Sequence, residues 1–288
     1  YAQPVETYST NVMGTVHVLE AARKCPNLKV IVSVTTDKVY ENQEWVWGYR
    51  ENEPMGGYDP YSSSKACAEL VTAAFRDSFF RHTEQPCAIA TARAGNVIGG
   101  GDWSADRLVP DFLRAIDRSE VLKIRSPNAT RPWQHVMEPL SGYLVLAEKL
   151  FQQPNLFSKP YNFGPDDNGV QTVQWIVQYL CNSIPSAKFE VESASLHEAG
   201  LLKLDSSLAK RELGWSPRLD LTQALDLTLS WHKAWKSGGN LIGLTTLTMR
   251  LPLCDSSASP MAAMAEGALM RLYRGERCFV RYREEFGL

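Results

Sequence analysis

Tyr61 and Lys65 stand four residues apart in YRENEPMGGYDPYSSSKACAELVTAAFR, residues 49–76. On a helix that spacing puts both on one face. The preceding residues start such a helix: Asp59 takes the N-cap and Pro60 the first helical position, where a missing N–H costs nothing. An ammonium beside a phenol stabilises the phenolate, drawing a group that normally ionises near pH ~10 towards working pH. A phenolate so formed can take a proton from a hydroxyl. Tyr-x-x-x-Lys is also an ordinary packing spacing, so its weight comes from its surroundings.

Two strands must bring partners to that helix. Leu28–Val34 (LKVIVSV) is a short, branched, apolar run with the character of a buried parallel strand. Thr35, Thr36, Asp37, Lys38, Val39 and Tyr40 follow at once, at the strand end where open α/β sheets keep their ligand crevice. After the helix, expected to run to His82, Cys87–Arg93 (CAIATAR) reads as the next strand and empties into AGNVIGGGDW, residues 94–103. Strand, helix, strand of these lengths is a right-handed parallel crossover. The triple glycine matches neither G-x-G-x-x-G nor the Walker spacing. It reads as a close-approach loop or a plain turn. Farther on, Arg125 and Arg131 sit in a Pro-containing loop with Trp133 and His135. Guanidinium pairs bidentately with phosphate, so the loop suits an anion, a surface salt bridge being the alternative.

Other elements follow from periodicity. Val5–Lys24 repeats apolar residues at helical intervals, and helices are expected at 108–118, 139–150, 173–181, 206–213 and 221–235. Strands are expected at 121–124, 161–164 and 189–191. The last third has its own apolar pattern and reads as a smaller lobe over residues 166–240. The first 165 residues form the sheet domain, whose loops 94–131 face the ligand. Residues 241–288 hold six Arg and no Lys, against twelve of each before them, and their periodicity is poor apart from a helical pattern at Met261–Tyr273. They are left unassigned.

With 30 basic and 32 acidic residues the 288-residue chain is nearly neutral and has no basic stripe, which excludes a polyanion binder. Apolar runs fall short of the ~18 residues that span a bilayer, and no signal-peptide pattern opens the chain. Six scattered cysteines without a CxxC pair read mostly as buried thiols of a reducing compartment. The five histidines lack metal spacing, so no metal site is expected.

Taken together, TDKVYEN at 36–42, Tyr61-x-x-x-Lys65, RAGNVIGGGDW at 93–103 and RPWQHV at 131–136 resemble the nucleotide-sugar dehydratases of the extended short-chain dehydrogenase/reductase superfamily. The resemblance runs from about Tyr1 to Ser237. It implies an α/β fold: a partial Rossmann-like, doubly wound parallel sheet with a smaller C-terminal substrate-binding lobe. The family's Gly-rich strand–turn–helix, which cradles the dinucleotide pyrophosphate, has no counterpart in these 288 residues. The nicotinamide half of an NAD site is therefore expected here, held by Tyr61, Lys65 and Asn11, the last resembling a position that supports the catalytic strand and being either structural or cofactor-proximal.

The same resemblance implies 4,6-dehydration of a nucleotide sugar. Tyr61 would take the C4 hydroxyl proton, tuned by Lys65, with Thr36 orienting the oxygen. Asp37 would be the acid for the departing hydroxyl. Lys38, standing where related dehydratases carry Glu, would be either the base at C5 or a charge that stabilises the enolate. Asn96, Arg107 and Arg131 match substrate-side positions. His135 and His197 either line the nucleotide pocket or are structural. A homodimer through helices 5–24 and 60–82 and a cytoplasmic setting are also implied. The rival readings are a nucleotide-sugar 4-epimerase, which needs no Asp37–Lys38 pair, and a non-catalytic truncated fragment.

Overall fold

The computed structural model describes residues 3–81, 87–192, 201–241 and 243–245. Three parallel strands form the central sheet in the order β1 (Val30–Val34), β2 (Ala88–Ala94), β7 (Tyr161–Phe163). Ser33 pairs with Thr91 and Arg93 with Asn162 in the two ladders. β2 is wholly buried between its neighbours, while the apolar residues of β1 stay half-exposed.

Alternation along β2 decides which helices cover which face. Ala88, Ala90 and Ala92 pack with Leu146 and Leu150 of α5 (Met137–Gln152) and with Ala209 and Leu213 of α8 (Ser207–Leu213). Ile89 points the other way, into a cluster with Leu19, Ala22 and Phe80. Helices therefore cover both faces, as a doubly wound sheet requires. The helix expected over 5–24 is α1 (Pro4–Tyr8), a π-helical turn over Ser9–Met13, and α2 (Gly14–Ala22). The helix expected to reach His82 is α3 (Pro60–Phe75) with a second π-helical stretch over Arg76–Phe80; His82 lies outside the described residues.

A second core joins α4 (Leu108–Arg118), α7 (Val173–Ser183) and α9 (Leu221–Lys236). Phe112, Ile176, Leu180 and Leu225 meet there with Ile124 of β4 (Leu122–Ile124). This core draws on both sides of residue 166, whereas α8, from the later part, packs on the sheet. β4 pairs in parallel with β9 (Phe189–Val191).

The stretch expected to be irregular around Arg131 contains two short strands. β5 (Thr130–Pro132) pairs antiparallel with β8 (Val170–Thr172), and β6 (Gln134–His135) pairs in parallel with β3 (Val97–Ile98). Pro132 is tolerated because β5 has a ladder on one side only. Of the four described cysteines only Cys87 is buried; Cys25 is exposed and Cys67 and Cys181 are half-buried, so the expectation of mostly buried thiols is not met. No described helix is long and apolar enough to cross a membrane.

Candidate active site

The N-terminus of α3 is fixed as its sequence dictates. The Asp59 carboxylate accepts from the backbone N–H groups of Tyr61 and Ser62 at 2.9 and 3.0 Å and from the Ser62 hydroxyl at 2.7 Å. Tyr61 is thereby held at the mouth of the crevice with 43% of its surface exposed. Thr36 ends the extended chain after β1 and caps a short 3-10 turn, Asp37–Val39, its hydroxyl accepting from Lys38 N at 3.3 Å. That turn aims three side chains at Tyr61. The Thr36 hydroxyl lies close enough to the phenol to favour its ionised form. It also donates to Asp37 Oδ1 at 2.9 Å. The Lys38 ammonium stands 6.0 Å from the centre of the Tyr61 ring.

Electrostatics divide the roles. Asp37 is buried, and burial raises its carboxyl pKa against the pull of Lys38, the Thr36 hydroxyl and Arg131. Among the described residues its Oδ2 has no hydrogen-bond partner. A proton carried by this carboxyl therefore has an uncommitted oxygen to occupy, which suits an acid kept neutral near working pH. Burial also pushes the Tyr61 phenol up. Thr36 and Arg107 oppose that shift, while Asp37 and Asp59 add to it.

Lys65 takes its electrostatic support from Glu69, one turn farther along α3, against a lowering by burial. Its half-buried ammonium makes no hydrogen bond among the described residues, so its donors remain available to a ligand. Beside the Tyr61 hydroxyl, that donor set fits the nicotinamide–ribose end of a dinucleotide. Asn11 sits in the π-helical turn before α2, and its amide donates to Ser64 Oγ at 2.9 Å. It therefore braces the first turns of α3, close to Tyr61 and Lys65.

The remaining expected residues fall around the same cleft or outside it. Arg131 on β5 acts on Asp37, and Arg107, at the N-cap of α4, acts on Tyr61. Arg107 is exposed and paired with Asp102 at 2.9 Å. Arg125 pairs with Asp106 at 3.8 Å, the surface bridge that was the alternative reading for it. The Asn96 carbonyl accepts from Gln134 N at 3.1 Å, linking the loop after β2 to β6. His135 is buried, accepts from Met137 N at 3.3 Å through Nδ1, and is held neutral, its pKa pushed down to about 4 by burial. His197 lies outside the described residues, as does the tail beyond Thr245.

The glycine-rich loop makes the close approaches expected of it. A Cβ on Gly100 would fall 2.1 Å from the Trp231 ring. A Cβ on Gly95 would fall 2.6 Å from Pro132 Cγ and 3.0 Å from Asp37 Oδ2. Only glycine lets this loop close over the acid.

Sequence reasoning missed the buried polar layer beneath the site. Glu69 accepts from Thr91 at 2.6 Å, from both Arg93 Nε and Nη2 at 2.9 and 3.0 Å, and from Thr35. Arg93 Nη1 also donates to Tyr40 Oη at 2.8 Å, and that phenol donates to Asn162 Oδ1 at 2.7 Å. The available signal was a carboxylate four residues past Lys65 and an arginine ending an apolar strand.

A parallel sheet that offers Tyr-x-x-x-Lys and a Thr-Asp-Lys turn to one crevice defines an extended short-chain dehydrogenase/reductase. The chain belongs to the GDP-mannose 4,6 dehydratase family, whose model matches residues 1–228. It is 53% identical over 248 residues to CDP-glucose 4,6-dehydratase of Salmonella typhimurium, covering 84% of this chain and 69% of that protein. It is 27% identical over 232 residues to dTDP-glucose 4,6-dehydratase of Streptomyces griseus, covering 78% and 66%. Among solved structures, dTDP-glucose 4,6-dehydratase of Bacillus anthracis in complex with NAD superposes with a TM-score of 0.66 at 23% identity, covering 81% of this chain and 70% of that one. UDP-glucose-4-epimerase of Stenotrophomonas maltophila with bound NAD gives 0.70 at 21% identity, covering 82% and 72%. At these identities the structures establish the fold, which dehydratases and epimerases share.

Proposed function

We propose that the chain converts CDP-glucose to CDP-4-keto-6-deoxyglucose and water. The observation that carries this is the buried Asp37 carboxyl, raised by burial and hydrogen-bonded to Thr36, with Lys38 beside it and Tyr61 across from both. A 4-epimerase needs the phenol and the threonine but no acid–amine couple. The nucleotide comes from the 53% identical relative, a CDP-glucose enzyme.

Tyr61 and Lys65 would hold the nicotinamide end of NAD, which would supply reversible hydride transfer between C4 and C6. Tyr61, as phenolate, takes the C4 hydroxyl proton, and Thr36 orients that oxygen. Lys65 holds the nicotinamide ribose and lends positive charge to the phenolate, and Asn11 keeps the start of α3 in place. Once C4 is a ketone, the C5 hydrogen is acidic. Lys38 removes it, Asp37 gives a proton to the departing C6 hydroxyl, and water leaves. Lys38 then returns its proton to C5. Tyr61 has by then gained a proton and Asp37 lost one, and the Thr36 hydroxyl lies between them. Arg131 and Arg107 provide guanidinium groups for the pyrophosphate; Asn96 meets the hexose, and His135 belongs to the nucleotide side. The setting is cytoplasmic and the assembly a homodimer.

The test is incubation of the chain with CDP-glucose and NAD, followed by alkali. A 4-keto-6-deoxy sugar is alkali-labile and gives a chromophore on that treatment. A CDP-hexose epimer without chromophore would instead support the epimerase reading. Equilibrium dialysis with NAD separates an empty fold, the non-catalytic fragment reading, from one that holds its cofactor.

A further inference from the structure

The reacting groups arrive on two separate elements. Tyr61 and Lys65 lie on α3, and Thr36, Asp37 and Lys38 lie on the turn after β1. Glu69 is on the same face of α3 as the first pair, one turn beyond Lys65 and two beyond Tyr61. It is also hydrogen-bonded to Thr35, the residue just before Thr36.

We propose that Glu69 is a positioning residue of the active site, whose carboxylate sets the reach between the Tyr61–Lys65 face of α3 and the Thr36–Asp37–Lys38 turn. Its four acceptor positions are all taken. Oε1 receives Thr35 Oγ1 and Arg93 Nε, and Oε2 receives Thr91 Oγ1 and Arg93 Nη2. With 3% of Glu69 exposed and none of Arg93, no water competes for these bonds. A buried pair of this kind is a poor source of net stability compared with apolar packing. A saturated four-donor carboxylate does, however, fix geometry, because moving it would strand a charge.

The two hydroxyl donors hold different things. Thr91 is in the middle of β2, which the ladder to β1 already fixes, with Thr91 opposite Ser33. Thr35 follows the last residue of β1, where its N–H still donates to Ala92 O at 2.8 Å, and the turn after it belongs to no strand ladder. Its side-chain bond to Glu69 is thus a direct hydrogen-bonded tie between α3 and the chain entering the turn that carries the acid and the amine. Arg93, on the other side, extends the same carboxylate through Tyr40 to Asn162 of β7. Glu69 is also the carboxylate that supports the Lys65 ammonium.

This assignment rests on the proposed dehydratase reading, and its test is built to fail separately. Thr35→Val and Thr91→Val each remove one hydroxyl from Glu69 and leave the ion pair whole, so both chains should fold, with similar losses in Tm. In the ligand-free full chain, the Tyr61 and Lys65 side-chain NMR signals are assigned with Tyr61→Phe and Lys65→Arg. Thr35→Val should shift or broaden both signals, and Thr91→Val should leave them in place. With CDP-glucose and NAD, Thr35→Val should lower kcat on the order of 10- to 100-fold, the scale of a displaced catalytic group. KM should stay near wild type, and Thr91→Val should keep its kcat. Unmoved Tyr61 and Lys65 signals in Thr35→Val, or equal catalytic loss in the two variants, would overturn the assignment. A wild-type chain inactive on CDP-glucose would remove the dehydratase reading while the NMR comparison still decided the role of Glu69.

Discussion

The Lys38 ammonium lies 6.0 Å from the centre of the Tyr61 ring, so the amine and the phenol face one substrate space. If Lys38 is the base at C5, Lys38→Ala should still oxidise C4 but stall before elimination. The dehydration rate should fall by about 10²- to 10⁴-fold, the usual worth of a general base. Transfer of deuterium from solvent into C5 should disappear with it. Retained C5 exchange in Lys38→Ala would assign Lys38 the electrostatic role instead.

Asp37 is buried and its pKa is raised above the ordinary 3.8 by that burial. Between the unfolded value and the raised folded value the native state binds more protons than the unfolded one. Its contribution to stability is therefore fullest below pH ~4 and declines as pH rises through the folded value. Asp37→Asn removes that penalty while keeping the side-chain shape. The variant should melt higher at neutral pH, by roughly 2–4 °C for each kcal/mol recovered, and should lose dehydration. In the wild type, kcat should fall on the alkaline side as Asp37 ionises. Thermal melts and a kcat–pH profile check both; a lower Tm for Asp37→Asn at pH 7 would refute the burial account.

Gly95 lets the loop after β2 close on the acid. Gly95→Ala places a methyl against the Pro132 ring and Asp37 Oδ2. Overpacking of this kind costs about 1–3 kcal/mol, and here the strain falls on a catalytic carboxyl. Gly142→Ala is the matched control, its Cβ meeting the Phe163 ring at 2.3 Å in the sheet core. Both should lower Tm, and only Gly95→Ala should lower kcat well beyond its loss of folded protein. Parallel melts and assays at a temperature where both variants are folded would separate the two effects.

The long elements were legible because their signals are local. Leu108–Arg118 falls where periodicity put it, and Asp59-Pro60 caps α3 as read. β5 and β6 were not legible, because the prolines and arginines around them read as loop and no apolar run marks them as β4, β7 and β9 are marked. The site's outer residues, Tyr61, Lys65 and the Thr36–Lys38 turn, could be named from type and position. The layer beneath them could not. Glu69 in a helix reads as a solvated charge and Arg93 as the end of a strand, and only the long-range pairing of α3 with β2 makes them one buried group.

Helices α1, α2 and α3 leave an apolar surface facing outward. Val5, Val18 and Leu70 are 82%, 66% and 58% exposed, with Tyr8, Met13 and Phe79 partly exposed on the same elements. On the homodimer reading proposed above, these residues are the surface through which two copies of the chain should pair. Charges there oppose pairing without touching the crevice. Leu70→Glu with Val18→Glu should convert a dimer into a monomer in sedimentation velocity, with far-ultraviolet circular dichroism unchanged. Because Tyr61 and Lys65 sit on the same helix as Leu70, the monomer should also bind NAD more weakly. A double variant that sediments as the wild type does would exclude this surface as the interface.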